Sequence, residues 1–176
     1  RVFGPEADAW LSRRQELRRR MLDVQPAAER LGIRIPDLRS ALDQHAFDTV
    51  EGVLTSLTPL VQAAAQVDEQ CQMVGLACAR PWASASLAQH EWPALTAHLQ
   101  AISGLLAFYA EQSTSARALD LELGQPLRER VAIFDPQAES GLHEVTVTLG
   151  AIATLERACA ERNLACRPGW EAAWAA

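Results

Sequence analysis

The chain has 176 residues, of which 49% are hydrophobic and 22% are charged, and its net charge is −6 at neutral pH. This length and composition are typical of a globular protein and exclude a disordered chain. The acidic balance argues against a general nucleic-acid binder, and no apolar run approaches the roughly 20 residues that span a bilayer. We therefore expect a folded protein with no nucleic-acid partner and no transmembrane segment in this sequence.

The choice of basic residue is one-sided, because all 16 are arginine and none is lysine. Together with the heavy use of alanine, this bias indicates a GC-rich genome and favours a bacterial source. The sequence begins at Arg1 rather than methionine, which predicts a mature product or an excised domain.

The first two predicted elements are a long helix and a short one. Pro5 suits the first helical position, since the N–H that proline lacks has no partner in a first turn. The apolar side chains of this helix recur at spacings of three, four and seven: Trp10, Leu11, Leu17, Met21 and Leu22. The helix is expected to fade near Gly32, and a second helix to start at Pro36 and end near Phe47.

A long third helix is predicted over residues 49–74. Asp48 has the character of its N-cap, with Glu51 three residues later as the capping-box partner. Pro59 is expected to kink this helix, because proline removes a backbone hydrogen bond and crowds the preceding turn.

The second half of the chain predicts the same three elements again. Pro93 opens a fourth helix, Pro126 lies in the first turn of a fifth, and Asp135 with Pro136 starts a sixth that runs to about Arg162. No segment shows convincing strand alternation. The pattern predicts an all-α protein.

The two halves also match residue by residue. The stretch CQMVGLACARPW at residues 71–82 aligns with CAERNLACRPGW at 159–170, cysteine on cysteine and tryptophan on tryptophan, at an offset of 88 residues. The match extends elsewhere, with small slips, as in Phe47-Asp48 and Phe134-Asp135. We predict a duplicated three-helix unit with repeats at 1–88 and 89–176. Because 88 helical residues bury little surface alone, the repeats are expected to pack as one bundle in a single domain, 1–176.

The cysteines fall in the two matching stretches, seven residues apart in each. They are Cys71, Cys78, Cys159 and Cys166. Seven residues of unbroken helix span about 10.5 Å, which is too far for a disulfide. However, Gly75 and Asn163 lie between the members of each pair, and both residue types readily adopt the left-handed conformation that ends a helix. The favoured pairing is therefore Cys71 with Cys78 and Cys159 with Cys166.

Other states of the cysteines stay open. Pairing across the repeats needs two parallel or two antiparallel helices side by side, and four free thiols would be small core side chains. A zinc site is disfavoured by the seven-residue spacing and by the lack of a nearby histidine, so no metal is expected. The favoured disulfides predict an oxidising compartment, the periplasm or the exterior, whereas free thiols would favour the cytoplasm.

The strongest charge feature is LSRRQELRRRML at residues 11–22. Its arginines occupy most of the helix circumference that the apolar side chains leave: Arg13, Arg14, Arg18, Arg19 and Arg20. This distribution is typical of a solvated face. The alternative is a binding surface, because guanidinium groups bind carboxylates and phosphates with paired hydrogen bonds. Arg13, Arg14, Arg18 and Arg19 are thus candidates for binding an anionic ligand, an acidic protein or lipid headgroups.

Two aromatic groups are further candidates. Trp170 and Trp174 lie one helical turn apart in an alanine-rich tail, and form a contact surface if that tail is exposed. An apolar patch in the fourth helix predicts a packed centre, or in part the lining of a ligand cavity between the repeats: Leu105, Leu106, Phe108 and Tyr109.

No recognisable catalytic constellation is present in the sequence. Glu139 and His143 lie one turn apart but are interpreted as a solvated pair, and His90-Glu91 lacks the second histidine of a zinc-binding motif. We find no nucleophile elbow and no phosphate-binding glycine loop, so no catalytic residue and no cofactor is predicted.

Three hypotheses about function follow. The favoured one is a non-catalytic binding or sensing module of the cell envelope or exterior, of the receptor ectodomain type. The second is a protein–protein adaptor, inhibitor or chaperone with reduced cysteines. The least favoured is a small helical-bundle enzyme that holds an anionic substrate with arginines. A protein partner or a small anionic ligand is expected, and homodimerisation is left open.

Overall fold

The computed structural model describes residues 4–167, 169–170 and 174. Within these residues the chain is all-helical without strands, and six α-helices have defined bounds. They are α1 (Pro5–Leu31), α2 (Leu38–Asp43), α3 (Phe47–Met73), α4 (Trp92–Ala118), α5 (Gln125–Ala132) and α6 (Ala138–Glu161). The prediction of an all-α class is confirmed, whereas the duplication stays a prediction.

Two aspartates that were predicted as N-caps, Asp48 for α3 and Asp135 for α6, do not occupy that position. Asp48 is not an N-cap, because α3 already begins at Phe47 and the Asp48 carboxylate instead pairs with Arg13. Asp135 lies three residues before α6 and accepts a hydrogen bond from the backbone N–H of Gln137 at 2.8 Å. Both helices start close behind a left-handed residue, so the turn before the helix sets its first residue.

Each of the helices α1 to α6 ends in the same backbone motif. The residues just after the helix ends have positive φ: Gly32, His45, Gly75, Asp120, Phe134 and Asn163. In each case the next residue donates its N–H to the carbonyl five residues earlier, at 2.9 Å. This is the bond that closes a Schellman motif, and it satisfies a carbonyl that the end of the helix would leave unpaired.

The chain divides into two compact units. The first comprises residues 1–69 and 80–103, and the second comprises residues 70–79 and 104–176. Of the three boundaries, one falls inside α3 and one inside α4, so each of these helices contributes to both units, and the third lies in the segment between them. The single-domain interpretation stays a prediction.

The core of the first unit is built on α3, which buries side chains on more than one face. Fully buried members are Val50, Leu54, Leu57, Leu60, Ala64 and Val67. Helix α1 contributes a narrower stripe, Leu17, Met21, Val24, Ala28 and Leu31. Of the predicted apolar face of α1, Trp10, Leu11 and Leu22 are exposed instead. The apolar stripe therefore covers only about the C-terminal half of α1, from Leu17 to Leu31.

The second unit packs the C-terminal half of α4 against α5 and α6. Its buried side chains include Leu106, Tyr109, Val131 and Leu142. Leu105 and Phe108 of the predicted packed centre are only half-buried, and Phe108 lies 4.9 Å from the ring of His143.

Candidate functional site

Two disulfides clip the ends of the third and sixth helices. Cys71 is bonded to Cys78 and Cys159 to Cys166, with 6.1 Å between the Cα atoms in each pair, and no free cysteine occurs in the described part of the chain. In each pair the first cysteine also accepts the closing hydrogen bond of the helix end through its carbonyl. This is the pairing that the sequence favours, and it follows from the left-handed residue between the cysteines.

The two leucines that follow the left-handed residues Gly75 and Asn163 differ in burial. Leu76 is half-buried, but Leu164 is 59% exposed. An apolar side chain commonly packs back onto the helix after such a stop, but most of the Leu164 side chain does not.

Two of the α1 arginines are neutralised within the protein. Arg13 bonds Asp48 at 2.5 Å and Glu51 at 2.9 Å, and these carboxylates raise the pKa of its guanidinium. Arg19 donates two hydrogen bonds to Glu16, at 3.1 and 2.7 Å, and these hydrogen bonds lower the pKa of the Glu16 carboxyl. Exposed ion pairs of this kind add little stability, but they occupy the guanidinium groups.

The remaining arginines of interest converge on a groove. We call it the α1–α2 groove; it has a volume of about 410 Å³. Its lining residues are Arg14, Arg18, Met21, Leu22, Gln25, Arg39, Leu42 and Asp43. Within the described residues, Arg18 and Arg39 have no carboxylate partner, and Arg14 reaches only Asp43, at 3.4 Å. The groove thus presents two uncompensated guanidinium groups in an acidic protein.

The floor of the groove is apolar. Met21 and Leu42 are 5% and 4% exposed, and Leu22, at 58%, forms an apolar wall open to solvent. Apolar side chains below cationic ones suit a ligand that carries both a negative charge and a hydrophobic portion.

Helical spacing explains how the groove forms. Arg14, Arg18 and Leu22 lie four residues apart on α1 and therefore share one face. In α2, Leu38 and Leu42 are buried, so the adjacent Arg39 lies at the edge of the groove. The Asp37 carboxylate, which accepts from the Ser40 backbone N–H at 3.0 Å, caps this helix.

An aromatic cluster lies beside Arg14. The ring of Trp10 packs at 5.0 Å from His45 and 5.3 Å from Phe47, and the Arg14 guanidinium lies 5.9 Å from the Trp10 ring centre. This cation–π contact helps to hold Arg14 in place.

The tryptophans of the tail do not form an exposed surface. Trp170 is 5% exposed, with the Arg167 guanidinium 5.7 Å from its ring. Trp174 is half-buried, donates its indole N–H to the Glu122 carbonyl at 2.9 Å, and lines a cleft of about 420 Å³ with residues of α5 and α6. The contact surface was expected only if the tail is exposed, and this condition is not met at Trp170, because tertiary packing buries its side chain.

The remaining candidates of the sequence are surface features. Glu139 and His143 lie 3.9 Å apart with more than 60% of each side chain exposed. Among the described residues, no group of three or more histidine, cysteine or acidic side chains could hold a metal ion. In the same residues, no helix has the length and apolar character needed to cross a membrane.

Sequence reasoning identified Arg14 and Arg18 but missed Arg39. The available signal was Leu38-Arg39, which recurs as Leu127-Arg128 in the second half. This dipeptide marks corresponding helices in the two halves, α2 and α5. Only the packing of α2 on α1, however, brings Arg39 close to the arginines of α1.

Comparison with known proteins finds no matching family model, no similar curated protein and no similar solved structure. The function is therefore argued from the site itself.

Proposed function

We propose that this protein is a non-catalytic helical binding module of the cell envelope or exterior. Its ligand is a small organic anion with an apolar portion, bound in the α1–α2 groove. The observation that carries the proposal is the division of the arginines: Arg13 and Arg19 are paired, whereas Arg18 and Arg39 face the groove without a carboxylate partner in the described residues.

The charge balance makes this division informative. The chain has 22 acidic and 16 basic residues, so carboxylates are in excess. Guanidinium groups that repel each other across a groove are stabilised by an anion between them, and each charge-assisted hydrogen bond contributes roughly 1.5–3 kcal/mol. The buried floor of Met21 and Leu42 would add the apolar part of the binding energy.

The disulfides support the proposed compartment. Structural disulfides persist in the periplasm and outside the cell and are rare in the cytosol. Both pairs lie where the chain reverses after a helix, so an oxidised protein is favoured over an adaptor with reduced cysteines. A receptor or sensor ectodomain is the corresponding biological role.

We also propose that the chain is an internal duplication. Gly32 and Asp120 are 88 residues apart, as are Gly75 and Asn163, and all four are left-handed helix stops. His45 and Phe134 form a third such pair at an offset of 89. Equivalent stops at nearly constant offset support a common origin for the two halves.

The groove is tested with a matched set of ligands. Octanoate carries both the charge and the apolar chain, 1-octanol lacks the charge, and inorganic phosphate lacks the chain. Isothermal titration calorimetry should show that octanoate binds more tightly than either. The double variant R18A/R39A should weaken octanoate binding at least 10-fold, because two charge-assisted hydrogen bonds are lost.

The control is R30A/R34A, which removes the same charge from exposed positions outside the groove lining. It should bind octanoate as the wild type does. If both double variants weakened octanoate binding equally, the effect would be one of net charge alone, and the proposal would be overturned. Equal affinity for octanoate and 1-octanol would also overturn it.

A further inference from the structure

A second cavity, in the other unit, has the composition of a binding site of a different kind. We call it the α4–α5 cavity; its volume is about 150 Å³. Among the residues that line it are Tyr109, Arg117, Leu121, Glu122, Leu123 and Arg128. It is independent of the α1–α2 groove, because the two share no residue.

Opposite charges line this cavity without pairing. Within the described residues, no ion pair joins the carboxylate of Glu122 to Arg117, to Arg128 or to any other cation, and both arginines are likewise without a carboxylate partner. Neighbouring ion pairs do form, since Arg167 reaches Asp120 at 2.6 Å. A ligand that carries both a negative and a positive group would complement such a lining, whereas a simple anion would meet the repulsion of Glu122.

Tyr109 adds a polar group. It is only 3% exposed and lines the cavity, yet no protein group in the described part of the chain hydrogen-bonds to its hydroxyl. The hydroxyl is not among the fully buried polar atoms, so it borders the cavity, where it can donate a hydrogen bond to a ligand.

The local fold holds the opposite charges around one space. Tyr109 and Arg117 lie eight residues apart on the same face of α4. After the left-handed residue Asp120, the Leu121 N–H donates to the Ala116 carbonyl at 2.9 Å, and the Glu122 carbonyl accepts a hydrogen bond from the indole of Trp174 at 2.9 Å. Arg128 approaches from α5.

The walls between the charges are apolar. Leu121 and Leu123 are each 6% exposed. A cavity of about 150 Å³ has room for a ligand of benzene size, about six non-hydrogen atoms. Because Arg117 and Glu122 in its lining are exposed to solvent, the cavity is partly open and a slightly larger molecule also fits.

We propose that the α4–α5 cavity binds a compact α-amino acid. Arg117 and Arg128 receive the α-carboxylate, Glu122 receives the α-ammonium group, Tyr109 donates a hydrogen bond to the carboxylate, and the leucines contact a short side chain. The two sites together make the protein a binder of two different small ligands.

The test compares valine with its two half-analogues. Isovalerate lacks the ammonium group and isobutylamine lacks the carboxylate, but all three share the same branched chain. Saturation-transfer NMR on the methyl signals, followed by titration for Kd with valine, alanine, serine and glycine, should show that at least one amino acid binds. Valine should bind at least 10-fold more tightly than either half-analogue.

Two variants assign the binding to this cavity. R117A/R128A should weaken amino-acid binding at least 10-fold. E122Q should weaken valine binding but tighten isovalerate binding, because it removes the carboxylate that repels a simple anion. R162A is the control, since Arg162 is exposed and lies outside the cavity lining. Circular dichroism verifies that each variant keeps its helix content.

Three results would overturn the proposal: no binding by any amino acid of the panel, equal affinity for isovalerate and valine, or full valine affinity in R117A/R128A. Failure of the octanoate experiment would leave this test unaffected, because the α1–α2 groove contributes none of the residues involved.

Discussion

At the scale of single residues, the arginines of this protein differ in whether a carboxylate lies within hydrogen-bond distance. Arg13 and Arg19 find carboxylates, and Arg18 and Arg39 do not. Because an arginine stays charged at every relevant pH, a neighbouring acid changes its availability rather than its charge. The unpaired members are therefore the ones that can bind an external anion.

The Arg19–Glu16 pair makes a prediction about pH. Its hydrogen bonds lower the pKa of the Glu16 carboxyl in the folded protein, so the pair stabilises the fold above the ordinary pKa of glutamate. That contribution is lost as the pH falls through the lowered pKa. In an NMR titration of the side-chain carboxyl, R19A should raise the pKa of Glu16 toward its ordinary value.

Arg20 provides the comparison, because it acts on Glu16 only through a smaller Coulombic effect. R20A should therefore move the pKa of Glu16 less than R19A does. Indistinguishable titration curves for the wild type and R19A would contradict the pairing.

At the scale of elements, helix ends organise the chain. The same closing hydrogen bond follows a glycine after α1 and α3 but a residue with a side chain after the other four helices. Left-handed backbone costs about 1–2 kcal/mol for most residues with a Cβ but less for asparagine and aspartate, so the cost is largest at Phe134.

Gly75 and Gly150 form a matched pair for testing this cost. Both are exposed, and a Cβ added to either meets nothing within 4 Å, but only Gly75 has a positive φ, of 68°. G75A should lower the free energy of unfolding by about 1–2 kcal/mol because of the strained backbone. G150A, inside α6, should raise it by about 0.5–1 kcal/mol, since alanine favours helix.

Urea denaturation measures both changes. The opposite signs are the essential point, because the two substitutions add the same methyl group to equally open surroundings. If G75A were as stable as G150A, the left-handed stop after α3 would be wrong.

At the scale of the whole molecule, contacts between distant segments decide what is buried. Trp82, 1% exposed, donates its indole N–H to the carbonyl of Leu31 at 3.1 Å, across 51 residues of sequence. This bond ties the segment after α3 to the end of α1. Trp170, at the matching place in the second half, is also buried, but its indole N–H has no partner within the described residues.

Paired substitutions isolate the value of that bond. W82F and W170F remove the same volume, but only W82F deprives a buried carbonyl of its donor. W82F should therefore reduce the free energy of unfolding by about 1–2 kcal/mol more than W170F does. Thermal and urea unfolding measure the difference, and a larger loss in W170F would refute the assigned role of Trp82.

The sequence by itself determined the helical class, the order of the six helices and the disulfide pairing. These depend on local physics: apolar spacing, proline at helix starts, and residues such as Gly75 and Asn163 that end a helix within one turn. Helix starts were misplaced at Asp48 and Asp135, because a neighbouring left-handed turn sets the first residue and the local capping signal does not.

Only the tertiary structure decided which arginines are paired, that Trp170 is buried, and that Arg39 joins Arg14 and Arg18. Tyr109 was expected in a packed centre or in a cavity between the repeats, but it lines a cavity within one unit. Each of these outcomes depends on residues tens of positions apart in the chain. Local sequence patterns carry no information on contacts between residues so far apart in the sequence, because the packing of whole helices determines which side chains meet.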